Sequence, residues 1–189
     1  MNLLYPRLTW RLFGWLFVFG LVGSCIAGAY GVLHDQVTFG IGPEYFTRLK
    51  FQQFHYLSRD QPVRLLVGEI GFLATWWVGF FAAWFMGRVI LPHESVPVSA
   101  RRCLKGVLLM MGLALAFAVA AYLLAPTQQD DPRLPYWEPL LSEHGISDSL
   151  RFVRVAYIHN ASYLGGLIGL IASLIWLRWT RKQQQLTPQ

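Results

Sequence analysis

The sequence predicts an all-α protein, a four-helix transmembrane bundle with an interfacial amphipathic helix in its first outer loop. Three observations carry this. The 189 residues are 54% hydrophobic and only 14% charged, too apolar for an ordinary soluble domain. The apolar residues come in four blocks, each of a length that crosses a bilayer core as a helix. All the charges but Glu69, and all ten prolines, lie between or outside those blocks. Residues 1–189 therefore read as one membrane domain, with spans at about 12–33, 65–87, 106–125 and 155–177 and outer loops at 34–64 and 126–154.

The first span, LFGWLFVFGLVGSCIAGAYGVL, has no ionisable side chain apart from a Cys and a Tyr and reaches about 33 Å as a helix. Arg7 and Arg11 ahead of it resemble a secretory signal, and VGSC loosely resembles a lipoprotein cleavage box at Cys25. The apolar run continues well past Cys25, so the expectation is a retained membrane helix. In the loop that follows, VTFGIG suits an extended stretch, and Pro43 with Glu44 suits a helix start. From there EYFTRLKFQQFHYL places Phe46, Leu49 and Leu57 on roughly one side, which describes an aromatic helix lying on the membrane surface.

The second span carries one charge, Glu69, and the third, GVLLMMGLALAFAVAAYLLA, carries none. Between them, residues 88–105 are a short basic connector in which His93 and Glu94 are expected to be solvated. The second outer loop opens with APTQQDDPRLPYWEP, too rich in proline for regular structure, before a short helical turn, PLLSEHG, that Gly145 ends. Ser147 is expected to cap the last helix, with Asp148 in its first turn, and that helix runs through Arg151 and Arg154 into the fourth span. Tryptophans near span ends, such as Trp10, Trp137 and Trp179, read as interface anchors.

Basic residues set the orientation, because Lys and Arg are retained on the cytoplasmic side during insertion. With both termini inside, Arg7, Arg11, Arg88, Arg101, Arg102, Lys105, Arg178, Arg181 and Lys182 are cytoplasmic, and the outer loops hold eight of the ten acids. The net charge of +6 follows from this topology and from contact with anionic lipid headgroups. A nucleic-acid partner would need a basic face on a soluble domain, and none is present. Cys25 lies within the first span and Cys103 at the cytoplasmic start of the third, too far apart for a disulfide.

Polar groups at membrane depth usually face other helices or water. In the fourth span His159, Ser162, Gly166, Gly169 and Ser173 recur at spacings of three and four, and in the first span Gly20, Ser24, Ala27, Gly31 and His34 do the same. Packing these two faces together would bring His34 to His159 near the outer surface. Glu69 lies about one turn inside the second span on the same side, although that helix's own small face is turned away from it.

The candidate site is His34, Asp35, Glu69, His159 and Asn160, with Glu44 as a further candidate from the loop above. His34, Asp35, Glu69 and His159 are donors for a divalent transition metal such as zinc or iron. The same groups suit a proton or ligand relay, because histidine titrates near neutrality. Neither chemistry has a diagnostic spacing here: HExxH and CxxC are absent, as are a haem-attachment motif, a P-loop and a dinucleotide fingerprint. In the alternative, these residues only hold the bundle together: His34 and Asp35 cap the first helix, His159 and Asn160 bond to neighbouring helices, and Glu69 pairs with Arg64, Arg151 or Arg154.

The segment HDQVTFGIGPEYFTRLKFQQF, with YIHNASYLGG later, resembles an uncharacterised group of bacterial four-span integral membrane proteins. In that group a His-Asp-Gln tripeptide precedes an extended stretch and a Glu-Tyr-Phe-Thr segment. The resemblance covers most of the chain and implies a bacterial inner-membrane location. It marks His34, Asp35, Gln36, Glu44, Tyr45 and His159 as matching positions and implies no activity. Two functional classes follow: a metal- or small-ligand-binding membrane protein with its site at the outer end of the bundle, or a structural or accessory protein. In the second, the outer loops bind a membrane protein partner or a second copy. Membrane lipid is a partner in either case. A transporter ranks below both, since four helices make a narrow path and no broken-helix pair occurs.

Overall fold

The structure, a computed structural model, describes residues 9–186. Its elements in chain order are α1 (Trp10–Ile41), a π-helical turn (Tyr45–Lys50) continued by α2 (Phe51–Gln53), α3 (Val63–Ile90), α4 (Val96–Leu124), a 3-10 turn (Leu134–Trp137), α5 (Glu138–Glu143) and α6 (Ser149–Leu186). Helices α1, α3, α4 and α6 are each long and apolar enough to cross a membrane. The chain is an all-α, multi-pass membrane protein. Of the basic residues that set the expected orientation, Arg7 lies outside the described residues.

All four spanning helices start before the predicted apolar blocks, and all but α4 run past their ends. Helix α1 starts on Thr9, whose hydroxyl accepts the Leu12 N–H at 3.2 Å, and continues through VTFGI to Ile41. The expected extended stretch is therefore helical. Thr38 bonds back to the His34 and Asp35 carbonyls at 3.0 and 3.4 Å, and Phe39 and Ile41 pack into the core above the bundle, so tertiary burial outweighs β-propensity. The connector expected over 88–105 shrinks to residues 91–95, with Pro97 in the first turn of α4, where a missing N–H costs nothing.

The small-residue faces pair differently from the sequence expectation. Helix α1 lies along α3, not along α6. A Cβ on Gly23 would stand 2.3 Å from the Gly79 carbonyl oxygen and one on Gly31 2.1 Å from that of Gly71, so the two backbones touch. Thr75 ties the pair, donating to the Ala27 carbonyl at 2.8 Å. Helix α4 lies along α6 by the same device, with Gly169 against the Met110 backbone and the Ser173 hydroxyl donating to the Gly106 carbonyl at 2.8 Å. The bundle is two tight helix pairs joined face to face.

One end of the bundle carries a roof. Tyr45, Phe46 and Phe51 from the π turn and α2 are buried against Leu66, Val67 and Ile70 of α3, Phe152, Val153 and Val155 of α6, and Leu134 and Leu141 from the second loop. The amphipathic helix read from the sequence is present, but its apolar side faces protein. Full burial of such an aromatic stabilises by roughly 1.5–3 kcal/mol where the alternative is water. Gly145 ends α5 with φ of +58° while Ile146 N–H returns to the Leu141 carbonyl at 2.9 Å.

At the opposite end Arg102 pairs with Glu94 and Thr180 and also donates to the Leu177 carbonyl at 3.1 Å. Glu94 is thus part-buried and paired with Arg102 of α4, which in turn reaches α6, and is not the solvated residue expected; His93 is exposed as expected. Trp10 and Trp179 are exposed, as interface anchors are, whereas Trp137 packs on Tyr157 with ring centroids 5.9 Å apart. Cys25 and Cys103 are both free thiols.

Candidate metal centre

His34, Asp35 and His159 converge directly beneath the roof. Donor atoms from the three lie within 4.8 Å of one another, and they form the one group of three or more such donors found among the described residues. His159 and Asp35 are 2% and 5% exposed. Because α1 does not end at residue 34, both of its site residues sit on ordered helix two turns below Ile41.

Hydrogen bonds define the state of His159. Its Nδ1 is 3.0 Å from the Val155 carbonyl oxygen, one turn back on the same helix, and its Nε2 is 3.2 Å from Asp35 Oδ1. A carbonyl only accepts, so Nδ1 carries hydrogen. The Nε2–Oδ1 contact then needs a second hydrogen, held by one partner or the other, or a cation in its place. A backbone carbonyl on Nδ1 with Nε2 turned to the site is also the arrangement that orients histidine ligands in metal centres.

His34 completes the set. Its ring stacks on Tyr30 at 5.6 Å and stands edge-on to His159 at 4.8 Å between centroids, and its Nε2 is buried without a hydrogen-bond partner. A buried imidazole nitrogen without a partner is costly. Two imidazoles and a carboxylate are the donor set of zinc and of non-haem iron sites with open positions. Ligand atoms held at about 2.1 Å from one ion lie roughly 3–3.5 Å apart, so the three side chains close by about an ångström around it.

Tyrosines ring the cluster. Tyr45 lies over His159 at 4.7 Å between centroids, Tyr163 stands at 6.2 Å, and Tyr30 shares a 3.3 Å hydrogen bond with Ser162. Lys50, from the π turn, sits with its amine 5.8 Å from the Tyr45 ring centroid. Burial holds that amine below the ordinary lysine range, and the Asp35 carboxylate partly offsets this. Sequence reading passed over Tyr30, Tyr163 and Lys50. The tyrosines lie one helical turn from His34 and His159, a spacing that was available; Lys50 is brought beside Tyr45 only through the fold of the roof.

Three predicted candidates stand elsewhere. Glu69 does not join the cluster, nor does it pair with Arg64, Arg151 or Arg154. Its Oε2 accepts from Gln61 Nε2 at 2.7 Å, because its side of α3 looks outward past α1. Asn160 is exposed, one residue and about 100° around α6 from His159. Glu44 accepts from Ser147 N–H at 3.0 Å, Ser147 Oγ at 2.5 Å and Asp148 N–H at 2.8 Å, so it binds the start of α6 and holds the roof down. Asp148, and not Ser147, caps that helix, accepting the Arg151 N–H at 3.1 Å. His34 and Asp35 lie inside α1 and do not cap it. Gln36 clamps α1 to α3, donating to the Arg64 carbonyl at 2.7 Å. No protein-family model, curated protein or solved structure matches the chain.

Proposed function

We propose that this chain is an integral protein of the bacterial inner membrane, with both termini cytoplasmic, that binds a divalent transition metal through His34, Asp35 and His159 at the extracytoplasmic end of its bundle. The observation that carries this is the convergence of those three donors, buried, with His159 Nδ1 anchored to a backbone carbonyl and His34 Nε2 unpartnered. A divalent ion would take the place of the hydrogen between His159 and Asp35 and give His34 a partner. The roof over it, with Tyr45 and Phe46 against the His159 ring, supports a site screened from bulk water. The excess of Arg and Lys at the far end supports the orientation.

Elemental analysis of the full chain purified in mild detergent, followed by titration of metal-stripped protein with Zn²⁺, Fe²⁺ and Co²⁺, tests the reading. The expected result is about one ion per chain, proton release on binding, and a Co²⁺ visible spectrum that shows nitrogen ligation. His159→Ala and His34→Ala should each weaken binding by tenfold or more while the chain stays helical. Folded protein that binds none of the three ions would overturn the proposal and leave His159–Asp35 as a hydrogen-bonded staple between α1 and α6.

A further inference from the structure

A second polar feature stands apart from the metal centre, on the flank of the bundle. Between α1 and α3, at the roofed end, a groove of about 310 Å³ opens sideways. Val32, Leu65, Gly68 and Phe72 form its apolar walls, and Leu65 and Phe72 are 55% and 41% exposed on the face the bundle presents to lipid. Arg64, Gln36 and Glu69 form its polar rim.

The rim is ordered. Arg64 Nη1 donates to the Gln36 carbonyl at 3.0 Å and to Gln36 Oε1 at 3.3 Å, and its guanidinium lies 5.0 Å from the Phe39 ring centroid. Those contacts hold the cation at the rim of the groove. Glu69 is held as well, by Gln61, but Gln61 is a neutral amide. Among the described residues no Lys, Arg or His side chain pairs with Glu69. A carboxylate on a membrane-spanning helix is costly and is normally paired or turned to water, and Glu69 is only partly exposed.

Depth decides what pairs with it. On the backbone Glu69 is about 7.5 Å further into the span than Arg64. Its carboxylate, however, reaches back to Gln61, which precedes α3, and Glu69 and Arg64 both line the groove. An occupant therefore needs an anion for Arg64, a hydrogen-bonding cation for Glu69 a short link away, and an apolar tail for the walls below. A water-soluble zwitterion leaves those walls bare, and an anionic lipid leaves Glu69 without a partner.

From this we infer that the α1–α3 groove binds a phospholipid whose headgroup carries a primary ammonium, with its phosphate on Arg64, its ammonium on Glu69 and an acyl chain over Gly68 and Phe72. A primary ammonium donates hydrogen bonds to the carboxylate; a quaternary one does not. The site is independent of the metal centre.

Native mass spectrometry of the full chain in mild detergent, titrated with phosphatidylethanolamine, phosphatidylcholine or phosphatidylglycerol of identical acyl chains, reads this directly. Phosphatidylethanolamine should bind about tenfold more tightly than either of the others, the worth of one charge-assisted hydrogen bond. Glu69→Gln should bring it down to the phosphatidylcholine level with metal content unchanged. Gly68→Leu, which keeps both charges and fills the groove, should weaken all zwitterionic binding even if Glu69→Gln proves unstable. Equal binding of the three lipids, a preference for phosphatidylglycerol, or an ethanolamine preference that survives both substitutions would overturn the assignment.

Discussion

Glu44 does for α6 what a local cap alone does not: it ties the first residues of that helix to a loop more than a hundred positions earlier in the chain. Its carboxyl is held below the ordinary glutamate value of 4.5, chiefly by the Ser147 hydroxyl and then by the Asp148 N–H. A lowered value in the folded state means that the latch stabilises fully above the ordinary range and loosens as pH falls through the folded-state value. Glu44→Gln should therefore cost about 1 kcal/mol at neutral pH. It should also speed hydrogen exchange over residues 43–53 and remove the acid sensitivity of that exchange. Unchanged exchange in the variant would mean that the buried aromatics alone hold the roof. Glu44 was singled out in the sequence as a site residue, yet its role was hidden, because the groups it binds arrive from the second loop only once the chain has folded.

Among the elements, the small-residue stripes show where one-dimensional reading stops. Gly20, Ala27 and Gly31 were legible as a packing face, but a stripe does not name its partner, and both α3 and α6 offered matching ones. Backbone proximity along Gly23–Gly79 and Gly31–Gly71 selects α3. Gly31→Val should therefore destabilise the protein by about 1–3 kcal/mol or more, since the new atoms meet a carbonyl that has no room to move. Gly14→Ala, with nothing within 4 Å of the added carbon, should be neutral or stabilise by up to about 1 kcal/mol. Thermal unfolding in detergent compares the two; equal stability would contradict the α1–α3 pairing. The π turn at Tyr45–Lys50 belongs here too. It carries no sequence signature of its own, and in its wider turn Tyr45 and Phe46 both stand against His159.

Across the whole molecule the two ends differ in chemistry. One end is basic and tied by Arg102 and Arg181, the latter donating to the Val89 carbonyl at 3.1 Å; the other is close to neutral, roofed and holds the candidate metal centre. In the proposed orientation, a membrane-impermeant thiol reagent applied to intact cells should label Ser58→Cys and not Ser95→Cys, in a background where Cys25 and Cys103 are serine. The reverse pattern would turn the protein over and put the His159 site on the cytoplasmic side.

The class of fold was present in the sequence because a bilayer demands long uninterrupted apolar helices, and no other arrangement accounts for four such blocks. His34, Asp35 and His159 were legible as candidates for the same reason: polar groups at membrane depth are few and stand out. Their meeting, and the departure of Glu69 and Asn160 from them, was settled by rotation. About 100° of helical phase separates facing a neighbour from facing lipid, and hydropathy records depth but not phase. That phase is fixed where backbones come into contact, at Gly31 against Gly71 and at Gly169 against Met110, and so is decided between helices rather than along any one of them.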